Sequence, residues 1–101
     1  MVRRLVLLVA ATAALALSAC SGTTGLVGAD LYGQSCAGCH GDDGGGAVGP
    51  ALGTGSRAGD LSDGQIADVI VVGPGAMPGF RRLSGEQIDS LVAHIRSLQT
   101  P

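Results

Sequence analysis

The motif Cys36-Ala37-Gly38-Cys39-His40 decides the fold of this chain. Its two thiols can reach the two vinyl groups along one edge of a porphyrin, and the histidine can come under the ring to ligate the iron. The same Cys-x-x-Cys spacing occurs in redox dithiols and in zinc sites. A zinc site needs two more ligands, and His94 is the only other His or Cys after Cys20. A redox dithiol usually lies in a βαβ unit, which this sequence does not suggest. The motif therefore predicts one covalently attached haem c.

The composition supports a cofactor at the centre of the domain. The chain has 101 residues, enough for one small domain, and its net charge is −2. Tyr32 and Phe80 are its only aromatic residues, and all 18 glycines follow residue 20. Such a chain cannot build a large core from its own side chains, whereas a porphyrin supplies a rigid apolar surface. The chain has no Lys and no stripe of basic residues, so nucleic-acid binding is not expected.

The first 19 residues predict a secretory signal. Two arginines precede the apolar run Leu5–Leu17, which is 13 residues long. A membrane-spanning helix needs about 20 apolar residues, so an uncleaved span is the weaker alternative. Leu17-Ser18-Ala19-Cys20 resembles the bacterial lipobox and predicts lipid attachment at Cys20, the alternative being ordinary cleavage after Ala19 with a free thiol. Residues 20–27 then form a tether and residues 28–101 the domain, with four Arg against eight acidic residues after cleavage.

Around the haem motif the chain resembles the small class I cytochromes c of bacteria. The segments that carry this resemblance, in family order, are Gly28, Leu31-Tyr32, Cys36–Gly41, Gly49-Pro50-Ala51-Leu52, Gly73–Phe80 and Leu83-Ser84. The resemblance covers about residues 28 to 98. It implies an all-α cytochrome c fold, with three main helices and long loops around one covalently bound haem.

Local signals place the three helices. Ser62 and Gln65, like Ser84 and Gln87, have the spacing of a capping box, in which two side chains satisfy the first amides of a helix. The first box predicts a helix that ends at Gly73-Pro74, and the second a helix that continues to the end of the chain. A less well marked helix is expected from about residue 29 into the haem motif. No segment shows the alternation of a β-strand.

The resemblance and the residues together suggest the iron ligands. The resemblance implies that the Pro50 carbonyl accepts a hydrogen bond from Nδ1 of His40 and leaves Nε2 for the iron; a simple turn at Pro50 is the alternative. Met77 is the only methionine after Met1, and its loop matches the family's sixth-ligand loop. A methionine that fills a core gap is the alternative.

Other residues near the expected haem have less definite roles. His94 lies where the family usually has an aromatic residue packed on the first helix. We interpret it as structural, with Tyr32 on the other side of that helix crossing; a solvated histidine is the alternative. Arg57, Arg81 and Arg82 are candidates to pair with the haem propionates or are surface charges.

These expectations indicate an electron carrier rather than an enzyme. His40 and Met77 would keep both axial positions of the iron occupied, and no acidic or histidine cluster near Met77 offers acid–base catalysis. We expect a protein exported to the outer face of the cytoplasmic membrane, whose partners are redox proteins such as a terminal oxidase. Neither a small-molecule substrate nor nucleic acid is expected. The alternatives are a fixed haem subunit of a larger complex, a small haem enzyme or a sensor; the flexible tether favours the mobile carrier.

Overall fold

The secondary structure is entirely helical in residues 22–101, the part of the chain that a computed structural model describes. The predicted signal and Cys20 lie outside these residues. No helix between residues 22 and 101 is long and apolar enough to cross a membrane. The elements are α1 (Gly28–Ser35), α2 (Ala37–His40), a 3₁₀ helix (Arg57–Asp60), α3 (Asp63–Val72) and α4 (Gly85–Gln99). The predicted all-α class is confirmed.

Helices α3 and α4 begin at the two predicted capping boxes. Ser62 Oγ accepts a hydrogen bond from Gln65 N at 3.1 Å, and Gln65 Oε1 accepts one from Ser62 N at 2.8 Å. Ser84 and Gln87 repeat the arrangement at the start of α4. Helix α3 ends at Gly73, whose φ of +66° is a left-handed conformation that glycine adopts without steric cost. These boundaries follow from local sequence alone.

The first helix differs from the expectation because it is interrupted inside the haem motif. Cys36 has φ −123° and ψ −36°, outside the helical region, and separates α1 from the single turn α2. Its amide still bonds the Tyr32 carbonyl at 2.8 Å, and the His40 amide bonds the Cys36 carbonyl at 3.0 Å. The interruption therefore places Cys36 at the N-terminal end of the turn that carries Cys39 and His40.

The core lies where α4 packs against both α1 and α3. Leu31, Tyr32 and Leu91 are its largest fully buried side chains. The remaining buried members of this cluster are Cys36, Ala37, Ile66, Ile70, Ile88, Val92 and Ile95. Tyr32 is the only aromatic residue among them, so the polypeptide core is small, as the composition predicted.

The glycine-rich loop after His40 is held by backbone hydrogen bonds to the haem motif. The amide of Gly46 bonds the His40 carbonyl at 2.7 Å, and the amide of Gly49 bonds the Cys39 carbonyl at 2.7 Å. Further along, the amide of Leu52 bonds the Gly44 carbonyl at 2.8 Å. The loop thereby folds back beside the end of α2.

Part of the segment that the sequence assigned to a tether contacts the domain. Leu26 packs on the core, and the side-chain amide of Gln87 donates hydrogen bonds to the carbonyls of Thr23 and Leu26. The amide of Gly28 bonds Ser90 Oγ. Ordered contacts with α4 therefore begin before Gly28.

Candidate haem site

The three residues of the attachment motif lie together at the start and end of α2. Cys36 is buried, with 8% of its surface exposed, whereas Cys39 is exposed, and neither forms a disulfide. Burial, with a smaller contribution from Cys39, raises the pKa of the Cys36 thiol to about 11. Redox-active dithiols instead have a lowered thiol pKa, so this environment does not favour the dithiol alternative.

His40 is oriented by the backbone of the loop that follows it. Its ring is buried, and its Nδ1 lies 2.7 Å from the carbonyl oxygen of Pro50. A carbonyl can only accept a hydrogen bond, so Nδ1 carries the proton and Nε2 keeps a free lone pair. Metal-ligating histidines are commonly oriented in this way by a partner on the other ring nitrogen. The hydrogen bond that the resemblance implies is thus present.

Gly49 makes room for the His40 ring. A Cβ atom built at Gly49 would lie 2.9 Å from His40 Cε1 and 3.0 Å from Nδ1, closer than real contacts allow. The sequence marks Gly49 as part of the Gly-Pro pair but does not indicate this steric role. The signal was its position directly before Pro50, whose carbonyl must approach the ring.

Met77 comes from a separate segment, the loop between α3 and α4. It is half-buried, and its amide bonds the Pro74 carbonyl at 3.2 Å. The loop is closed by a hydrogen bond from the Phe80 amide to the Ile70 carbonyl at 2.9 Å. Among the hydrogen bonds of residues 22–101, none joins Met77 to the His40 segment.

Tyr32 and His94 meet at the crossing of α1 and α4. Their ring centroids lie 4.7 Å apart. This contact favours the structural interpretation of His94 over a solvated side chain. The Tyr32 hydroxyl also donates a hydrogen bond of 2.8 Å to the Gly41 carbonyl. The helix crossing is therefore connected to the residue that follows His40.

The three arginines considered for the propionates lie on the surface, which agrees with the surface-charge alternative. Arg57, Arg81 and Arg82 are exposed, and the only ion pair formed within residues 22–101 involves Arg96 instead. Arg96 Nε contacts Asp63 Oδ1 at 2.8 Å, and its guanidinium also donates to the carbonyls of Ala58 and Leu61. Sequence reasoning missed this residue, because these carbonyls are 35 or more positions away in the chain.

Three observations test whether the described residues suit a haem. The hydrogen bond to the Pro50 carbonyl leaves His40 Nε2 with a lone pair, and Gly49 leaves space for the imidazole ring. The polypeptide core is small. The hydroxyl of Ser56 is buried and has no hydrogen-bond partner in the described part of the chain. Because buried polar atoms in folded proteins nearly always have a partner, this hydroxyl is consistent with a polar group beyond the polypeptide. The residues present fit a haem.

A family model matches residues 24–95, most of the chain, and its description is "Cytochrome C oxidase, cbb3-type, subunit III". The chain belongs to this family. It is a small class I cytochrome c domain and carries covalently bound haem c with its iron. No curated protein matches the chain. Between residues 22 and 101 no group of three or more His, Cys, Asp and Glu is placed to hold a bare metal ion.

Proposed function

We propose that this cytochrome c domain transfers single electrons on the outer face of the cytoplasmic membrane, with Cys36 and Cys39 as the thioether attachments. His40 and Met77 are the axial iron ligands in this proposal. The observation that carries it is the hydrogen bond between His40 Nδ1 and the Pro50 carbonyl, which leaves Nε2 free within the attachment motif. Bound haem supplies a one-electron couple, and the polypeptide sets its potential.

The remaining residues support a carrier rather than a catalyst. If His40 and Met77 both ligate the iron, they leave no coordination position open to a substrate. A thioether ligand and an apolar surround both stabilise the reduced state and raise the potential. A high potential suits donation of electrons to a terminal oxidase or another strong acceptor.

The ligand assignment is tested by Met77→His. We expect the purified holoprotein to keep its haem and its fold, to lose the sulfur-to-iron absorption band of the ferric state and to have a lower midpoint potential. The matched control is His94→Tyr, which changes the only other histidine of the domain and should leave both observables nearly unchanged. If the band and the potential follow His94 instead of Met77, the assignment is wrong.

Membrane attachment is proposed through a lipid on Cys20. The support is the lipobox-like sequence before it, together with the haem motif, since haem c is attached after export. Cys20→Ser should release a soluble exported cytochrome with an unchanged haem spectrum, or leave an unprocessed precursor. Fractionation of the host cells decides between attachment and its absence. Wild-type protein that is fully soluble outside the cytoplasm would disprove lipid attachment.

The second candidate is a fixed haem subunit of an oxidase complex. The family description, which names a subunit of a cbb3-type oxidase, favours it. Purification from detergent-solubilised membranes at high salt separates the two functions. A fixed subunit remains with an oxidase in constant proportion, whereas a carrier elutes alone and still reduces the oxidase when the two are mixed.

A further inference from the structure

The side chain of Gln87 forms two sets of hydrogen bonds at once. Its Oε1 accepts from the amide of Ser84 at 3.0 Å, which completes the capping box of α4. Its Nε2 donates to the carbonyls of Thr23 at 2.8 Å and of Leu26 at 3.0 Å. These two acceptors lie more than 60 residues earlier in the chain. The glutamine therefore joins the segment before α1 to the first turn of α4.

Neighbouring contacts strengthen this junction. Leu26 packs against the core, and its amide bonds the Thr23 carbonyl at 3.1 Å. The amide of Gly28 donates to Ser90 Oγ at 2.9 Å, and Ser90 Oγ in turn donates to the Gln87 carbonyl at 2.7 Å. The segment from Thr23 to Gly28 is thus bound along the N-terminal end of α4.

We infer that Gln87 clamps residues 23–27 to α4 and thereby fixes the haem domain close to, and in one orientation relative to, a lipid anchor at Cys20. The membrane part of this inference rests on the proposed anchor. Only three peptide links separate Cys20 from Thr23, and they span at most about 11 Å. If residues 20–28 were free, their eight peptide links would span about 28 Å. This exceeds the ~22 Å length of α4, the longest helix of the domain, so a free tether would not restrict how the domain faces the membrane.

The short free segment between Cys20 and Thr23 changes how the domain meets a partner. A domain on eight free residues can turn any face toward the membrane, whereas a domain held at Thr23 keeps the N-terminal ends of α1 and α4 beside the lipid surface. Its electron-transfer partner is then a protein within reach of that fixed position in the same membrane. The clamp therefore restricts the movement of the domain relative to the membrane, which the small polar residues of the tether had suggested would be free.

The clamp is tested by Gln87→Glu in the haem-loaded protein. A glutamate keeps an Oε1 atom that can accept the hydrogen bond from Ser84 N, and its charge is favourable in the first turn of a helix. It loses the Nε2 donor, however, and places a negative charge against the carbonyls of Thr23 and Leu26. Gln65→Glu is the matched control, because Gln65 caps α3 in the same way and its Nε2 forms no hydrogen bond within residues 22–101.

Hydrogen exchange measured by mass spectrometry gives the first readout. We expect Gln87→Glu to accelerate exchange in the peptide covering residues 22–30 roughly tenfold, the effect of losing two modest hydrogen bonds. Gln65→Glu should leave that peptide unchanged. Ser90→Ala, which removes the acceptor for Gly28 N, should accelerate it independently. Equal exchange in wild type and Gln87→Glu overturns the clamp.

The second readout is orientation in a membrane. The full chain is incorporated into vesicles of phosphatidylethanolamine and phosphatidylglycerol, which are then stacked as oriented multilayers. The electron paramagnetic resonance spectrum of the ferric haem should change with the angle between multilayer and field in wild type and Gln65→Glu, and should lose this dependence in Gln87→Glu. Dependence that is absent in wild type, or unchanged in Gln87→Glu, overturns the fixed orientation.

The two proposals can fail separately. If the full chain stays in solution when the vesicles are sedimented, the proposed lipid anchor is wrong, and the membrane orientation falls with it. Hydrogen exchange on that soluble holoprotein still decides whether Gln87 holds residues 23–27. If the chain sediments with the vesicles, Cys20→Ser does not, and the spectrum of the bound protein is independent of angle, the anchor stands and the fixed orientation is wrong.

Discussion

The rings of Tyr32 and His94 lie 4.7 Å apart and are tilted by 47°, at the point where α1 crosses α4. Tyr32 is almost completely buried, and its hydroxyl bonds the carbonyl of Gly41. The same side chain therefore joins the helix crossing to the end of the haem-attachment turn. Changes at this crossing are expected to alter stability more than the electronic properties of the haem.

His94→Ala removes the ring contact and should lower the free energy of unfolding of the holoprotein by about 1 kcal/mol, the usual size of an aromatic pair. His94→Tyr keeps a ring in this position and should lose much less. Guanidinium unfolding followed by circular dichroism measures both variants. A loss as small in His94→Ala as in His94→Tyr would show that the ring contact contributes little.

Tyr32→Phe removes a buried hydroxyl whose ionisation opposes folding at high pH. Burial raises the pKa of Tyr32, with smaller contributions from the negative charges of Asp43 and Asp42. Because the folded state favours the neutral phenol, this stabilisation is complete below the unfolded pKa of about 10 and is lost as the pH rises through the folded pKa.

Two consequences follow for the Tyr32→Phe holoprotein. At neutral pH it should be less stable by about 1 kcal/mol, because the bond to the Gly41 carbonyl is lost. Above about pH 10 its stability should fall less steeply than that of wild type. Unfolding curves measured from neutral to strongly alkaline pH test the slope. Parallel slopes in the two proteins would contradict the role assigned to this hydroxyl.

Local signals predicted some parts of this structure and not others. The capping boxes at Ser62 and Ser84 depend on residues three positions apart, so sequence alone located the starts of α3 and α4. The second role of Gln87 depends on contacts with a segment more than 60 residues away in the chain. A pattern of neighbouring residues carries no information about such contacts.

The candidate site divides in the same way. The attachment motif and the Gly-Pro pair stand out in the sequence, and the resemblance implied the contact between His40 and Pro50 that the structure contains. The space that Gly49 leaves for the His40 ring became visible only when the loop was folded beside α2. Local spacing predicts which residues take part but not the close approaches between them.

Gly49→Ala should disturb the orientation of His40. The new methyl group would lie within 3.0 Å of two atoms of the imidazole, and relieving such an overlap typically costs about 1–3 kcal/mol. We expect less haem-loaded protein and, in what remains, a weakened bond between Nδ1 and the Pro50 carbonyl. Haem content after purification and the ¹H NMR signal of the His40 ring measure these effects. Gly59→Ala is the control, since nothing lies within 4 Å of its Cβ position; equal loss in both variants would refute the steric role of Gly49.

Gly79→Ala should loosen the loop that carries Met77. A Cβ atom at Gly79 would lie 2.7 Å from the Val71 carbonyl and 2.9 Å from that of Val72, at the end of α3, and a Cβ at Gly73 would collide with the backbone of Gly79 in return. The loop thus crosses the end of α3 with no space for a side chain, and separating the two backbones typically costs about 1–3 kcal/mol.

If Met77 ligates the iron, this shift weakens the sulfur-to-iron band, lowers the midpoint potential and increases the fraction of ferrous protein that binds carbon monoxide. Gly85→Ala, at the start of α4 with nothing near its Cβ position, should change none of these quantities. A Gly79→Ala protein that is less stable but keeps the wild-type band and potential would show that the crossing supports the fold without positioning Met77.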